Sequence, residues 1–137
     1  MARDKFHYEV KQALTYDGWN VTDDPLYIKI GTIPIHIDLG AEKIIGAEKD
    51  GEKIAVEIKT FSKLSFITAF HEAVGQYIVY REALAIIESD RILYLAMPID
   101  TYEEFSSELL VQRVLANNQI KLILYESNTQ HIVSWLK

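Results

Sequence analysis

The stretch Ile54-Ala-Val-Glu-Ile-Lys-Thr-Phe61 sets two opposite charges, Glu57 and Lys59, into an apolar run. In an extended strand the side chains alternate, so Ala55, Glu57 and Lys59 share one face and Ile54, Val56 and Ile58 the other. Burying unpaired ions costs several kcal/mol each, so such charges either pair with neighbours or form a working site. Upstream, Asp38 closes a second apolar, alternating segment, Ile33-Pro-Ile-His-Ile-Asp38. Two carboxylates supply hard oxygen ligands for Mg²⁺ or Mn²⁺, which keep several waters and take a substrate phosphate. A lysine on the same face would orient a water and stabilise charge developing on that phosphate. Asp38 and Glu57 are thus the candidate metal ligands, and Asp38, Glu57 and Lys59 the candidate catalytic set.

The chain holds two Glu-x-Lys triplets. Glu9-Val10-Lys11 falls in a helical pattern, where residues two apart do not share a face. Glu57-Ile58-Lys59 falls in a strand, where they do. The competing reading of that triplet is an ordinary ion pair at a sheet edge. The partner acid is the open point. A two-residue turn at Asp50-Gly51 would set Ile44 opposite Glu57 and Glu42 opposite Lys59. Asp38 would then lie beyond the paired ladder, and the chain must bend at Gly40 to bring it back. Glu42 and Glu48 are the alternatives; Asp38 is preferred because it ends an apolar strand run.

The elements that must position these residues follow from pattern. Residues 3–16 read as a helix with Phe6, Val10 and Ala13/Leu14 on one stripe and Gly18 as its stop. Leu26–Ile30 and Ile33–Asp38 read as a hairpin turning at Gly31-Thr32. Lys43–Lys49 and Lys53–Phe61 read as strands flanking Asp50-Gly51. A long helix is expected from about Ser65 to Glu88, with Ile67, His71, Val74, Ile78, Arg81 and Ala85 at helical spacing and the other faces also largely apolar. Arg91–Pro98 has no polar alternation and reads as a central strand covered on both faces. A helix near 101–117 and two short strands, Lys121–Ser127 and His131–Leu136, close the chain. No repeat, low-complexity tract or linker divides it, so residues 1–137 read as a single α/β domain, a mixed sheet flanked by helices.

Within the long helix, Gln76 and Tyr80 are four apart and share a face, as an accessory pair or as ordinary packing against the sheet. Glu9 is a candidate third acid, or a solvated helix residue. The four histidines show no metal-ligand spacing, and His71 falls in an apolar stripe, where a core histidine is expected.

The net charge of −6 argues against strong non-specific nucleic-acid binding, which depends on cations neutralising phosphates. Any role on DNA would be local, metal-assisted or shared with a basic partner. Without cysteine there is no disulfide framework and no thiol chemistry. No apolar run approaches membrane-spanning length, and the start, MARDKFHYEV, carries charge where a signal peptide needs an apolar core. A cytoplasmic protein, with no membrane role, is expected.

The Asp38…Glu57-x-Lys59 arrangement resembles the PD-(D/E)XK motif of the restriction-endonuclease-like superfamily, although Ile37 stands where the motif name has its proline. The resemblance implies an α-β-β-β-α-β core with a C-terminal extension. It also gives Gln76, Tyr80 and Glu9 the places of accessory residues. Read whole, the stretches MARDKFHYEVKQAL, IDLGAEKIIGAEKDGEKIAVEIKTF, FHEAVGQYIVYREAL, DRILYLAMPIDTY and IVSWLK resemble the XisH family of fdxN element excision controlling factors. That resemblance implies a cyanobacterial accessory factor that acts with a site-specific recombinase and an XisI-like companion in excising a DNA element during heterocyst differentiation. Two expectations compete: a nuclease-fold DNA-processing factor with a Mg²⁺-dependent site, and a non-catalytic protein-interaction module that keeps the fold. A homo- or hetero-oligomer is expected in either case, from exposed C-terminal strands with unpaired edges.

Overall fold

A computed structural model describes residues 6–43, 51–61 and 65–137. The chain forms α1 (His7–Tyr16), β1 (Asn20–Asp23), β2 (Leu26–Ile30), β3 (Ile33–Ile37), β4 (Leu39–Lys43), β5 (Glu52–Ile58) and α2 (Phe66–Ile87). There follow β6 (Arg91–Pro98), α3 (Ile99–Phe105), α4 (Leu109–Asn117), β7 (Leu122–Glu126) and β8 (His131–Leu136). Six strands make one mixed sheet in the order β1-β4-β5-β6-β7-β8, and β2-β3 form a separate hairpin. The β5-β6 and β6-β7 pairs are parallel, and the other neighbours are antiparallel. This is a mixed α/β architecture with helices on both faces of the sheet.

Alternation along the central strands sorts the core into two layers. On one face Ala55, Leu93, Leu95, Leu122 and Leu124 meet α2 through Phe70, Ala73 and Tyr77, with the β2-β3 hairpin closing over them. On the other, Ile54, Val56, Ile58, Tyr94, Ala96 and Ile123 meet α1 through Val10 and Leu14. β6 lies between two parallel neighbours and contributes to both layers, as its unbroken apolar run requires. The hairpin turns at Gly31-Thr32 with Ile30 opposite Ile33, and Gly31 takes a left-handed φ of 59° that favours glycine.

Several expectations are corrected. β4 pairs with β5 with Glu42 opposite Lys53 and Lys43 opposite Glu52. Glu42 is therefore not opposite Lys59, while Ile44 and Asp50 of the expected turn lie outside the described residues. Ile44–Asp50, including Glu48 and most of the Lys43–Lys49 segment, lie outside the described residues. The offset is an even number of residues, so every β5 side chain keeps its expected face. The bend is at Asp38, where the chain leaves the hairpin for the main sheet, while Gly40 sits within β4 opposite Ala55.

β1, which carries no apolar pattern, was not expected; it pairs with β4 at the sheet edge. The single helix near 101–117 is two helices, broken at Ser106–Glu108. The buried stripe of α2 is Phe70, Ala73, Tyr77 and Leu84, and His71 is exposed. A helix apolar on all sides gives periodicity little power to choose its inner face. The buried histidine is His7, whose Nε2 lies 2.7 Å from Asp24 Oδ1. Finally, β7 is an interior strand buried between β6 and β8, so only β8 offers an edge at that end. No helix among the described residues is long and apolar enough to cross a membrane.

Candidate functional site

Glu57 and Lys59 project from the end of β5 on the α2 side, the side of Ala55. Asp38 reaches them because the chain bends there between β3 and β4 while β4 runs antiparallel beside β5. Continuing the ladder one step beyond Leu39–Val56 sets Asp38 across from Glu57. The main chain fixes both acids. The Ile58 N–H donates to Asp38 Oδ2 at 2.8 Å, and the Asp38 N–H donates to Glu57 Oε1 at 3.3 Å. Lys59 Nζ lies 3.9 Å from Glu57 Oε2 and 3.6 Å from Glu72 Oε1. The Lys59 N–H donates to the Ala96 carbonyl at 3.0 Å, so its backbone continues the β5-β6 ladder and holds the lysine in place.

Glu57 is buried, with 6% of its surface exposed. Burial, and then the negative charge of Asp38, raise its carboxyl from 4.5 to about 8; Lys59 pulls the other way without balancing them. Two crowded carboxylates with one partly exposed lysine are short of positive charge. A proton shared between them, or a cation, answers that shortage.

α2 runs past this pair. Tyr80 has its hydroxyl pKa raised, first by burial and then by the charges of Glu57, Asp38 and Glu72, which places it in the field of the acids. Glu72, Gln76 and Tyr80 are spaced by four and lie along one side of the helix. The side-chain carbonyl oxygen of Gln76 is buried with no hydrogen-bond partner among the described residues. The structure therefore gathers Asp38, Glu57, Lys59 and Tyr80, with Gln76 on the same helix side. Glu72 was missed by sequence reasoning. Its signal was its place four residues ahead of Gln76 and eight ahead of Tyr80.

Glu9 is not gathered in. It stands on α1, whose Val10 and Leu14 pack on the opposite face of the sheet, and its Oε2 is buried without a hydrogen-bond partner among the described residues. Among the described residues no group of three His, Cys, Asp or Glu side chains could hold a metal ion. Glu42 lies opposite Lys53 and Asn20, further along β4 than the end where Asp38 meets Glu57. Lys11, of the other Glu-x-Lys triplet, donates to Asp24 at 2.8 Å and has a structural place between α1 and the β1-β2 connection. A cavity of about 680 Å³, lined by Arg81, Tyr102, Leu115 and Lys121 among others, contains none of the candidate site residues.

The family described as XisH protein matches residues 1–133. The chain belongs to the XisH family. Two solved structures superpose on it with a TM-score of 0.88 each, covering 98% of this chain and 100% of theirs. One is an XisH family protein from Nostoc punctiforme PCC 73102, 41% identical. The other is a fdxN element excision controlling factor protein from Anabaena variabilis, 43% identical. No curated protein matches. The family match over residues 1–133 includes the bend at Asp38 and the β5 acid.

Proposed function

We propose that this XisH-family protein is an accessory factor in excision of a DNA element and that it carries a divalent-cation-dependent phosphodiester-cleaving site of the PD-(D/E)XK type. On this reading the core from α1 to β6 is restriction-endonuclease-like, with α3 to β8 as its extension. A site-specific recombinase and an XisI-like companion are the partners that would supply the cationic DNA contacts this acidic chain lacks.

One observation carries the reading: Asp38 and Glu57 meet across β4 and β5 with Lys59 beside them on the same face. Mg²⁺ or Mn²⁺ fits this donor set, because such ions take one or two protein carboxylates and fill their remaining positions with water and phosphate. The fit also rests on Glu57, which in the absence of a cation holds a proton at neutral pH. Asp38 and Glu57 would be the ligands. When bound, the ion polarises a phosphoryl oxygen and acidifies water. The chain's own part is positional and electrostatic. Main-chain N–H groups aim both carboxylates, and Lys59 presents an ammonium where negative charge develops. Tyr80 and Gln76 border the site from α2, with the unpartnered Gln76 oxygen free to accept from a substrate or water.

The test is cleavage of supercoiled and linear DNA by purified protein with Mg²⁺ or Mn²⁺, with EDTA as the stop. Wild type should nick or cut and Lys59→Ala should not, with folding of the variant verified by circular dichroism. Equal behaviour of the two proteins in cleavage or in element excision would sink the nuclease reading.

The second reading, a non-catalytic interaction module on the same fold, is favoured by one feature. Lys59 sits between two carboxylates, Glu57 and Glu72, as a structural ion pair would. It expects excision to survive Lys59→Ala.

A further inference from the structure

The cavity of about 680 Å³ lined from α2, α4, β7 and β8 takes no part in the acid pair and has a chemistry of its own. Three cationic residues line it, Arg81, Lys121 and Lys137, and its described lining residues include no Asp or Glu. In a chain of net charge −6 that reverses the prevailing sign. Arg81 and Lys121 make no ion pair with any described residue. Much of the remaining wall is apolar. Val111, Ile120 and Leu122, all buried, contribute to it, with the half-buried Leu115 and Leu136.

Arg81 and Lys121 are both anchored on one buried residue, Tyr77. The Arg81 guanidinium lies over its ring, 5.2 Å from the centroid. Arg81 Nη1 donates to the carbonyls of Asn118 at 2.7 Å and Gln119 at 3.3 Å. The Tyr77 hydroxyl accepts from the Lys121 main-chain N–H at 3.1 Å and donates to the Leu93 carbonyl at 2.8 Å. Both Arg81 bonds leave from one nitrogen, and a guanidinium carries more donors than these use. The ordinary reading of Arg81 is a cap on carbonyls that α4 leaves open at its end. That accounts for Arg81, but not for the unpaired Lys121 or for the hollow beside them. Packed interiors close such hollows, whereas clefts of roughly 300–1,000 Å³ with apolar walls and a few polar groups are the usual form of a small-ligand site.

We propose that this cavity binds a small organic anion: a carboxylate, sulfonate or phosphate head on an apolar body. The head meets Arg81 and Lys121, and the body covers Leu115, Ile120 and Leu136. A phosphodiester backbone would answer the cations but leave the apolar wall in water, so a DNA strand is the poorer occupant. The site shares no residue with the acid pair and does not depend on the cleavage reading.

The test uses anilinonaphthalene sulfonate, a sulfonate on an apolar body, read by its fluorescence. N-phenylnaphthylamine, the same body without the charge, is the control. With wild type the sulfonate should saturate at one site per chain, and the uncharged dye should bind roughly tenfold more weakly or worse. Lys121→Ala, at a half-buried side chain, should weaken the sulfonate about tenfold, the size of one charge-assisted hydrogen bond. It should leave the uncharged dye unmoved. Methyl resonances of Val111, Leu115, Leu122 and Leu136 should shift on titration, which locates the site. Inorganic phosphate, lacking an apolar body, should displace the dye only far above the dye's own Kd. Equal affinity for the two dyes, wild-type binding by Lys121→Ala, or shifts confined to other methyls would overturn the proposal. Displacement by phosphate near the dye's Kd would overturn it too, because the apolar wall would then contribute nothing. Displacement by a duplex DNA oligonucleotide would reassign the cations to a nucleic-acid contact and overturn it equally. If Lys121→Ala does not fold, the two dyes and the methyl shifts decide.

Discussion

Asp38 and Glu57 hold each other through the backbone: the Ile58 N–H donates to Asp38 Oδ2 at 2.8 Å, and the Asp38 N–H donates to Glu57 Oε1 at 3.3 Å. The acids are therefore fixed without a cation. Close carboxylates repel, so fixing them is unfavourable unless a proton or an ion sits between. The pair is pre-organised for something positive, and which positive species occupies it is open to titration.

In metal-free protein the proton should fill that place, with a definite sign for stability. Glu57 has its folded pKa raised from 4.5 to about 8 by burial and by Asp38. Between those values the folded state keeps a proton that the unfolded chain has lost. Raising pH through the window therefore lowers stability, which levels off above about 8. Glu57→Gln should flatten the slope and stabilise the apo protein at pH 8 by on the order of 3 kcal/mol. Mg²⁺ should raise the Tm of wild type at pH 8 and leave Glu57→Gln unmoved. Urea denaturation at several pH values checks the first claim and thermal scans the second. A flat wild-type profile would remove the basis for a shared proton.

The His7–Asp24–Lys11 cluster gives a second, purely structural expectation. Burial opposes ionisation of Asp24, but hydrogen bonds from Lys11 and His7 outweigh it and hold the carboxyl below its usual range. The stability this supplies is present above the ordinary carboxylate pKa and is lost as pH falls through the lowered one. Asp24→Ala should cost about 1–3 kcal/mol, because it leaves the buried His7 without its partner. Lys11→Ala, at a lysine side chain 40% exposed, should cost about 0.5 kcal/mol and leave any DNA cleavage unchanged. Denaturation midpoints measure both. A larger loss for Lys11→Ala than for Asp24→Ala would contradict the assigned roles.

Much of this arrangement is legible in the sequence, and the failures have physical causes. The apolar run of Arg91–Pro98 and the Gly31 turn are local signals, and both elements form where the pattern places them. Glu57 and Lys59 share a face because strand alternation has a period of two, and a register error of six residues leaves parity intact. The register itself was misread because Asp50-Gly51 is a strong local turn signal, while strand pairing answers to burial of Leu39, Ala41, Ile54 and Val56. β1 was invisible because Asn20–Asp23 becomes a strand only by pairing with β4. His71 was misplaced because apolar residues occur on every side of α2. The same property hid its inner face from the sequence and exposes its outer one in the structure.

Gln76 and Tyr80 divide packing from function. The buried, unpartnered oxygen of Gln76 is a cost to the isolated protein unless something donates to it. Gln76→Leu should therefore keep or slightly raise stability, since it removes an unsatisfied polar atom. If the helix side serves DNA or the acid pair, the same variant should lower cleavage or DNA affinity several-fold. Wild-type activity in a stabilised Gln76→Leu protein would assign the residue to packing alone.

Lys59 is held between Glu57 at 3.9 Å and Glu72 at 3.6 Å, and these two acids are not equivalent. The Glu57 side chain is 8% exposed and the Glu72 side chain 63%. An exposed carboxylate contributes little to an ion pair, roughly 0–1 kcal/mol, so Glu72→Gln should change stability by less than that. Its effect on chemistry should be separate. If Lys59 acts as charge develops on a phosphate, Glu72 draws the ammonium aside in the free protein, and releasing it should hold or raise cleavage within a few-fold. Lys59→Ala should instead abolish turnover with folding intact, because it removes an interaction made chiefly in the transition state. Single-turnover cleavage of the three proteins side by side separates the cases. If Glu72→Gln is as inactive as Lys59→Ala, Glu72 is part of the working site. If both are as active as wild type, Lys59 is a structural ion pair and the interaction-module reading takes over.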